Sequence, residues 1–206
     1  RADWSRRQPA AQPGVCSMTV YTSFDEIPRG HYRLVVSDIP WGFRNKKTGG
    51  SGKSGASSHY PTMDIDEILA LPIPDICAKD CTMFQWVPDS LLDMGIDVFK
   101  HYGFTYKGVL VWDKQSIGMG WWYRNQTEHC IYGVRGKAKA FHMQRPNIFR
   151  ARRSGHSRKP DVFWTDYVNP VVTPERQPCI ELFARETRSG WDCFGNEVVE
   201  ILEKED

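Results

Sequence analysis

The chain has 206 residues, 40% of them apolar and 25% charged, with 27 Lys and Arg against 25 Asp and Glu. That length and balance suit one globular domain with a full core. No apolar run nears the roughly 20 residues of a membrane span, and a net charge of +2 leaves any grip on a polyanion to local clusters.

The N-terminal stretch has no apolar signal-peptide core. Six cysteines stand at 16, 77, 81, 130, 179 and 193. Only Cys77 and Cys81 are close, with no matching second pair, so the pattern is neither a zinc site nor a disulfide framework. They read as reduced thiols of a cytosolic protein, with no metal expected.

Residues 1–17 are rich in Arg, Gln, Ala and Pro without periodicity. They are expected to be a disordered leader or an arm, with one domain over 18–206. A short strand is expected at 20–22 and a buried strand at 33–37, where Leu34, Val35 and Val36 run together. The second strand ends in Asp38-Ile39-Pro40-Trp41. An acid, a restricted dipeptide and a large aromatic at a strand's carboxyl end sit where open α/β sheets bind ligands. The set suits chemistry on an exocyclic base amine. A carboxylate and a backbone carbonyl take its two N–H bonds, and an aromatic face holds the base.

Residues 42–59 form a Gly-, Ser- and Lys-rich loop. Gly52-Lys53-Ser54 invites a phosphate-loop reading, but Lys47 stands where that motif needs its first glycine. A basic flap over an active site fits better. A helix with an acidic first turn is expected at 64–71, a strand at 82–87, a helix at 88–102 that Gly103 ends, and strands at 106–112 and 128–134. The alternation of strands and helices argues an α/β sheet with parallel strands. Between the last two strands lies an aromatic loop with Trp122 and Arg124. Residues 135–159 then carry nine Lys or Arg, among them Arg152, Arg153, Arg158 and Lys159, and no acid. A basic run flanked by aromatic loops reads as a nucleic-acid footprint, with a plain solvated face as the alternative. A helix at 161–168, strands at 179–183 and 191–194, and an amphipathic helix at 196–202 complete the chain.

Five ordered motifs together resemble one family, the MT-A70-like adenine-N6 methyltransferases. They are Asp38-Ile39-Pro40-Trp41; Tyr60-Pro61-Thr62-Met63; Gly118-x-Gly120-x-Trp122-x-Arg124 with Glu128-His129-Cys130; His156-Ser157-Arg158-Lys159-Pro160-Asp161; and Glu181-Leu182-Phe183-Ala184-Arg185 followed by Gly190-Trp191-Asp192 and Gly195-Asn196-Glu197. The resemblance implies a Rossmann-like α/β sheet with helices on both faces and a permuted order, catalytic motif first. It implies methyl transfer from S-adenosylmethionine to the N6 amine of adenine. Asp38 would accept one amine hydrogen and the carbonyl of Ile39 or Pro40 the other. Trp41 would stack on or close over the base, with Tyr60 as a second wall. Glu128 would line the base pocket or hold its loop, and Lys159 would reach the cofactor carboxylate or the base. Phe183, Arg185, Asn196 and Glu197 would hold the cofactor's ribose and adenine. Trp122, Arg124, Arg152, Arg153 and Arg158 would grip nucleic acid.

The family usually has Pro where this chain has Ile39. That position chiefly offers a carbonyl, and Pro40 still drives Ile39 to an extended conformation. A compact chain without long accessory regions resembles the phage and bacterial DNA enzymes. DNA is the expected partner, no membrane is involved, and a monomer or homodimer in the cytoplasm is expected. An RNA enzyme, a catalytically silent nucleic-acid-binding subunit and a small-molecule methyltransferase are the rival readings.

Overall fold

The structure, a computed structural model, describes residues 18–42, 62–118, 120, 122–153, 158–195 and 198. The expected leader, most of the flap with Tyr60, His156, and the terminal helix with Asn196 and Glu197 lie outside the described residues.

Eight strands form one sheet in the order β1-β8-β7-β2-β3-β5-β4-β6. They are β1 (Val20–Tyr21), β2 (Tyr32–Ser37), β3 (Cys77–Val87), β4 (Thr105–Asp113), β5 (Thr127–Arg135), β6 (Ile148–Arg150), β7 (Cys179–Leu182) and β8 (Asp192–Phe194). Strand β5 is antiparallel to both neighbours, and every other pairing is parallel. The expectation of parallel strands therefore fails at β5. The 13 residues between β4 and β5 hold no helix among those described, and a parallel return needs a crossover of about a dozen residues that packs on the sheet. Two further differences arise at the strands. Strand β3 starts at Cys77, five residues earlier than the apolar run suggested, and β6 emerges inside the basic run.

Side chains alternate across the sheet and build two cores. Val35, Met83 and Ile131 face α1 (Ile65–Leu69), α2 (Ile73–Ile76) and α3 (Leu92–His101). Leu34, Val36, Phe84, Trp86 and Trp112 face the other way, onto Phe163, Trp164 and Val168 of a π-helical segment, Phe163–Val168. Helix α1 starts at a capping box. The Asp64 carboxylate accepts from the N–H groups of Asp66 and Glu67 at 3.0 Å, and Glu67 accepts from Asp64 N at 2.7 Å. Helix α3 ends at Gly103, whose φ of +82° only glycine adopts without strain. No described helix is long and apolar enough to cross a membrane.

This topology gathers chemistry at one edge. The carboxyl ends of seven strands and the amino end of β5 open on the same side. Asp38, Lys114, Glu128, the Arg150–Arg153 segment and Phe183–Arg185 all emerge there. From β2 the chain goes on to β3 on one side, while β7 and β8 pack on the other, so Asp38 stands at the switch point where such sheets bind ligands.

Candidate active site

The Asp38-Ile39-Pro40-Trp41 turn is fixed from three directions. Asp38 N donates to Leu182 O at 3.2 Å, tying it to β7. Met63 N donates to Pro40 O and Gly42 N donates to Met63 O, each at 2.8 Å. A Cβ on Gly42 would lie 2.7 Å from Met63 O, so only glycine allows this approach. The Trp41 indole N–H donates to Trp86 O at 2.9 Å. Trp41 is only 5% exposed and belongs to the core on the α1–α3 face. This differs from the stacking position expected of it: the indole locks the turn, and little of its face is left for a base. Ile39 is likewise buried in that core. An aliphatic side chain at this position packs in the interior, which gives the departure from proline a physical reason. Its carbonyl accepts from Trp41 N at 2.9 Å, and a carbonyl oxygen keeps a second lone pair.

Around Asp38 lies a chain of alternating charges. Lys159 Nζ is 3.0 Å from Asp38 Oδ2 and 3.4 Å from Glu128 Oε2. Lys114 Nζ is 3.4 Å and Arg153 Nη2 3.8 Å from Glu128 Oε1. The Lys159 ammonium also lies 4.9 Å from the Trp86 ring centre, a cation–π contact. Burial alone works against charge on Lys159, but the carboxylates of Asp38 and Glu128 outweigh it and hold the ammonium above its ordinary pKa. Burial alone likewise raises Glu128, yet Lys159 and Lys114 hold it below the usual carboxylate range. Both stay charged at neutral pH, so Lys159 is a fixed cation and not a base. Lys114, 5% exposed, goes the other way, lowered first by burial and further by Arg153 and Lys159.

The sequence reading missed Lys114. Its signal was present: a lysine directly after one strand and Glu128 opening the next become neighbours if the two strands pair as a hairpin. Arg188 was missed as well. It pairs with Glu181 at 3.2 Å and lies 4.0 Å from the Trp164 ring centre.

On the cofactor side, Phe183 leaves β7 with φ of +61° and sends the chain toward Arg185. A Cβ on Gly195 would lie 2.1 Å from Ala184 O, so the ends of β7 and β8 close tightly on each other. Glu181 is pushed up to about 7, first by burial and then by the charge of Asp38, against the pull of Arg188. The folded chain therefore holds this proton from about pH 4.5 to about 7, and stability falls as pH rises through that window. His129, lowered by burial, acts in the opposite sense below pH 6.5, so the effect is read as a difference. Relative to wild type, Glu181→Gln is expected to gain stability steadily between about pH 5 and 7 in denaturant titrations. Parallel curves for the two proteins would assign the proton elsewhere.

Trp122, Arg124 and Arg152 are exposed. Arg158 pairs with Glu186 at 3.2 Å and Asp161 at 3.4 Å. The basic run is thus partly neutralised by acids from other segments, with Arg150 on Asp113 and Arg145 on Asp166. Among the described residues no cluster of His, Cys, Asp and Glu is arranged to hold a metal.

The family model described as MT-A70 matches residues 32–197. The chain is 30% identical to the type II methyltransferase M.MunI of Mycoplasma sp, over 85% of this chain and 81% of that protein. It is 28% identical to the N6-methyladenosine RNA methyltransferase MTA1 of Pyricularia oryzae, over 84% of this chain and 49% of that protein. It is 24% identical to the N(6)-adenosine-methyltransferase catalytic subunit METTL3 of Homo sapiens, over 82% of this chain and 28% of that protein. The match runs from the start of β2 to just beyond β8 and takes in seven of the eight strands: the chain belongs to the MT-A70 family of S-adenosylmethionine-dependent adenine-N6 methyltransferases.

Proposed function

We propose that this chain methylates the N6 amine of adenine in DNA, with S-adenosylmethionine as methyl donor. The observation that carries the reading is the position of Asp38 at the switch point. On one side lie β7 and β8 with Phe183 and Arg185, and on the other the cationic loops after β4 and β6.

The residues at this edge fit the donor. When bound, S-adenosylmethionine supplies a methyl group on a positively charged sulfur that leaves as a neutral thioether. The Asp38 carboxylate favours a cation there, and the Lys159 ammonium suits a carboxylate. Phe183 and Arg185, with Asn196 and Glu197 just beyond β8, would hold the nucleoside end.

The adenine amine is a weak nucleophile because its lone pair is shared with the ring. Asp38 accepts one of its N–H bonds and the Ile39 or Pro40 carbonyl the other, which turns the lone pair out of conjugation. Lys159 occupies Oδ2 of Asp38, but a carboxylate has about four acceptor sites, which leaves Oδ1 for the amine. The surplus proton passes to Asp38 or to water after transfer. Positioning carries the reaction, and no tuned base is needed.

DNA is favoured because the relative named as a type II methyltransferase is matched over 81% of its length, whereas METTL3 is matched over 28%. RNA is the second reading, favoured by the printed name of MTA1. Tritiated-methyl transfer to DNA and RNA pools of the same sequences decides between them. Label on N6 of adenine in DNA is expected. Label confined to RNA overturns the substrate, and label in neither overturns the reaction.

A further inference from the structure

The loop between β4 and β5 is a stalk whose limbs are hydrogen-bonded to each other and which carries bare rings. Gln126 Nε2 and Gln115 N both donate to Asp113 Oδ1, at 2.7 and 2.9 Å. Lys114 N donates to Gln126 O at 3.0 Å, and further out Gly118 N donates to Asn125 O at 2.8 Å. A Cβ on Gly120 would lie 2.0 Å from Tyr123 O, so the backbone turns tightly between these two positions. In this turn Trp122 is 95% exposed and Tyr123 88%.

Single exposed apolar side chains are ordinary. Two adjacent large rings on a clamped hairpin are less so, and their surroundings say what they meet. Arg124 is exposed beside them. Arg150 pairs with Asp113 at the foot of the stalk, and the exposed Arg152 and Arg153 follow on the same strand end. Planar rings amid arginines suit a polyanion whose own rings stack. The stalk also grows out of the site itself, since Lys114 and Glu128 at its feet belong to the network around Asp38. Strand β5 is two positions from β2 and β4 three, which at strand spacing puts the stalk about 10–14 Å from the strand of Asp38. That matches the scale of a base swung from the stack across a groove about 8.5 Å deep.

We propose that Trp122 and Tyr123 form a wedge that enters the base stack of duplex DNA and fills the gap left by the extruded adenine. The proposal rests on the adenine-N6 reading above and adds how a paired base reaches Asp38. In a duplex, extrusion costs stacking and pairing, and an inserted ring offsets part of that cost. In a single strand the base is already accessible, and the wedge has far less to do.

The test compares wild type with the double variant W122A/Y123A on native duplex DNA and on the same DNA heat-denatured. The duplex-to-single-strand ratio of kcat/KM is expected to fall about 10–100-fold, the range set by stacking of one or two rings. Trp122→Phe with Tyr123→Phe should recover most of it, because a ring of any kind fills the gap. Thermal melting of the variants should match wild type, since both positions are exposed. Equal losses on the two substrates, or no loss on duplex, overturn the wedge. Loss of a dimer by sedimentation together with equal losses would instead make the tip a contact between two copies. If wild type labels neither substrate, the adenine-N6 reading fails first.

Discussion

Asp38→Ala is expected to lower methyl transfer by about 10³-fold or more while leaving S-adenosylmethionine binding within a few-fold of wild type. The two halves of this result come from two sets of contacts. Asp38 holds the amine in the orientation that exposes its lone pair, an interaction most valuable as the new bond forms. A 10³-fold loss corresponds to about 4 kcal/mol in the transition state. Most of the proposed cofactor contacts, Phe183, Arg185, Asn196 and Glu197, follow β7 and β8 in the chain, and Lys159 keeps its charge when Asp38 is removed because Glu128 still faces it. The turn itself stays in place, because its ties run through Asp38 N, Pro40 O and the Trp41 indole. Lys159 loses one partner and keeps Glu128 at 3.4 Å, so the fold should survive. Asp38→Asn separates charge from acceptor: its amide oxygen can still take an N–H, so it should retain more activity than alanine. The measurement is single-turnover methyl transfer beside a thermal shift with S-adenosylmethionine. Near-normal turnover in Asp38→Ala would remove the carboxylate from the reaction.

Features written in contiguous residues were legible, and those that depend on pairing were not. The apolar run before Asp38 gave β2, and a strand's end gave the place of the acid. Glu128 and Lys159 were singled out from separate motifs 31 positions apart, and the fold brings them to 3.4 Å. By contrast β6 has three residues, Ile148, Phe149 and Arg150, too few for alternation to show within a basic run. It exists because β4 offers an edge and Phe149 has a core to enter. The early part of β3 was hidden by Lys79 and Asp80, which interrupt its apolar pattern. Trp41 reads in sequence as an aromatic beside an acid, open to a base. Only the fold reveals that the Trp86 carbonyl claims its indole. The charged network is the clearest case. A basic run counted by itself suggests a face for phosphate, but Arg153 and Lys159 turn to Glu128, and Arg158 to Glu186. What remains for a polyanion is a smaller set around the stalk.

Glu128→Ala is expected to destabilise the fold by about 3 kcal/mol, the cost of leaving partly buried charge without its partner. Glu128 faces Lys114, Lys159 and Arg153 together. Lys159 keeps Asp38 at 3.0 Å when Glu128 is removed, and Arg153 is exposed enough to turn to water. Lys114 has neither recourse, being 5% exposed and already lowered by burial. The destabilisation should therefore trace to this one ammonium. Two consequences separate this account from a general loss of packing. First, Lys114→Met on the Glu128→Ala background should recover most of the loss, giving a strongly non-additive cycle in denaturant midpoints. Second, the deficit should shrink as pH rises toward 10.5, because the folded chain releases the Lys114 proton before the unfolded chain does. Additive cycles, or a deficit indifferent to alkaline pH, would place the damage elsewhere. Turnover should fall as well, since without Glu128 the Lys159 ammonium has Asp38 as its remaining anion and competes harder with the adenine amine for it.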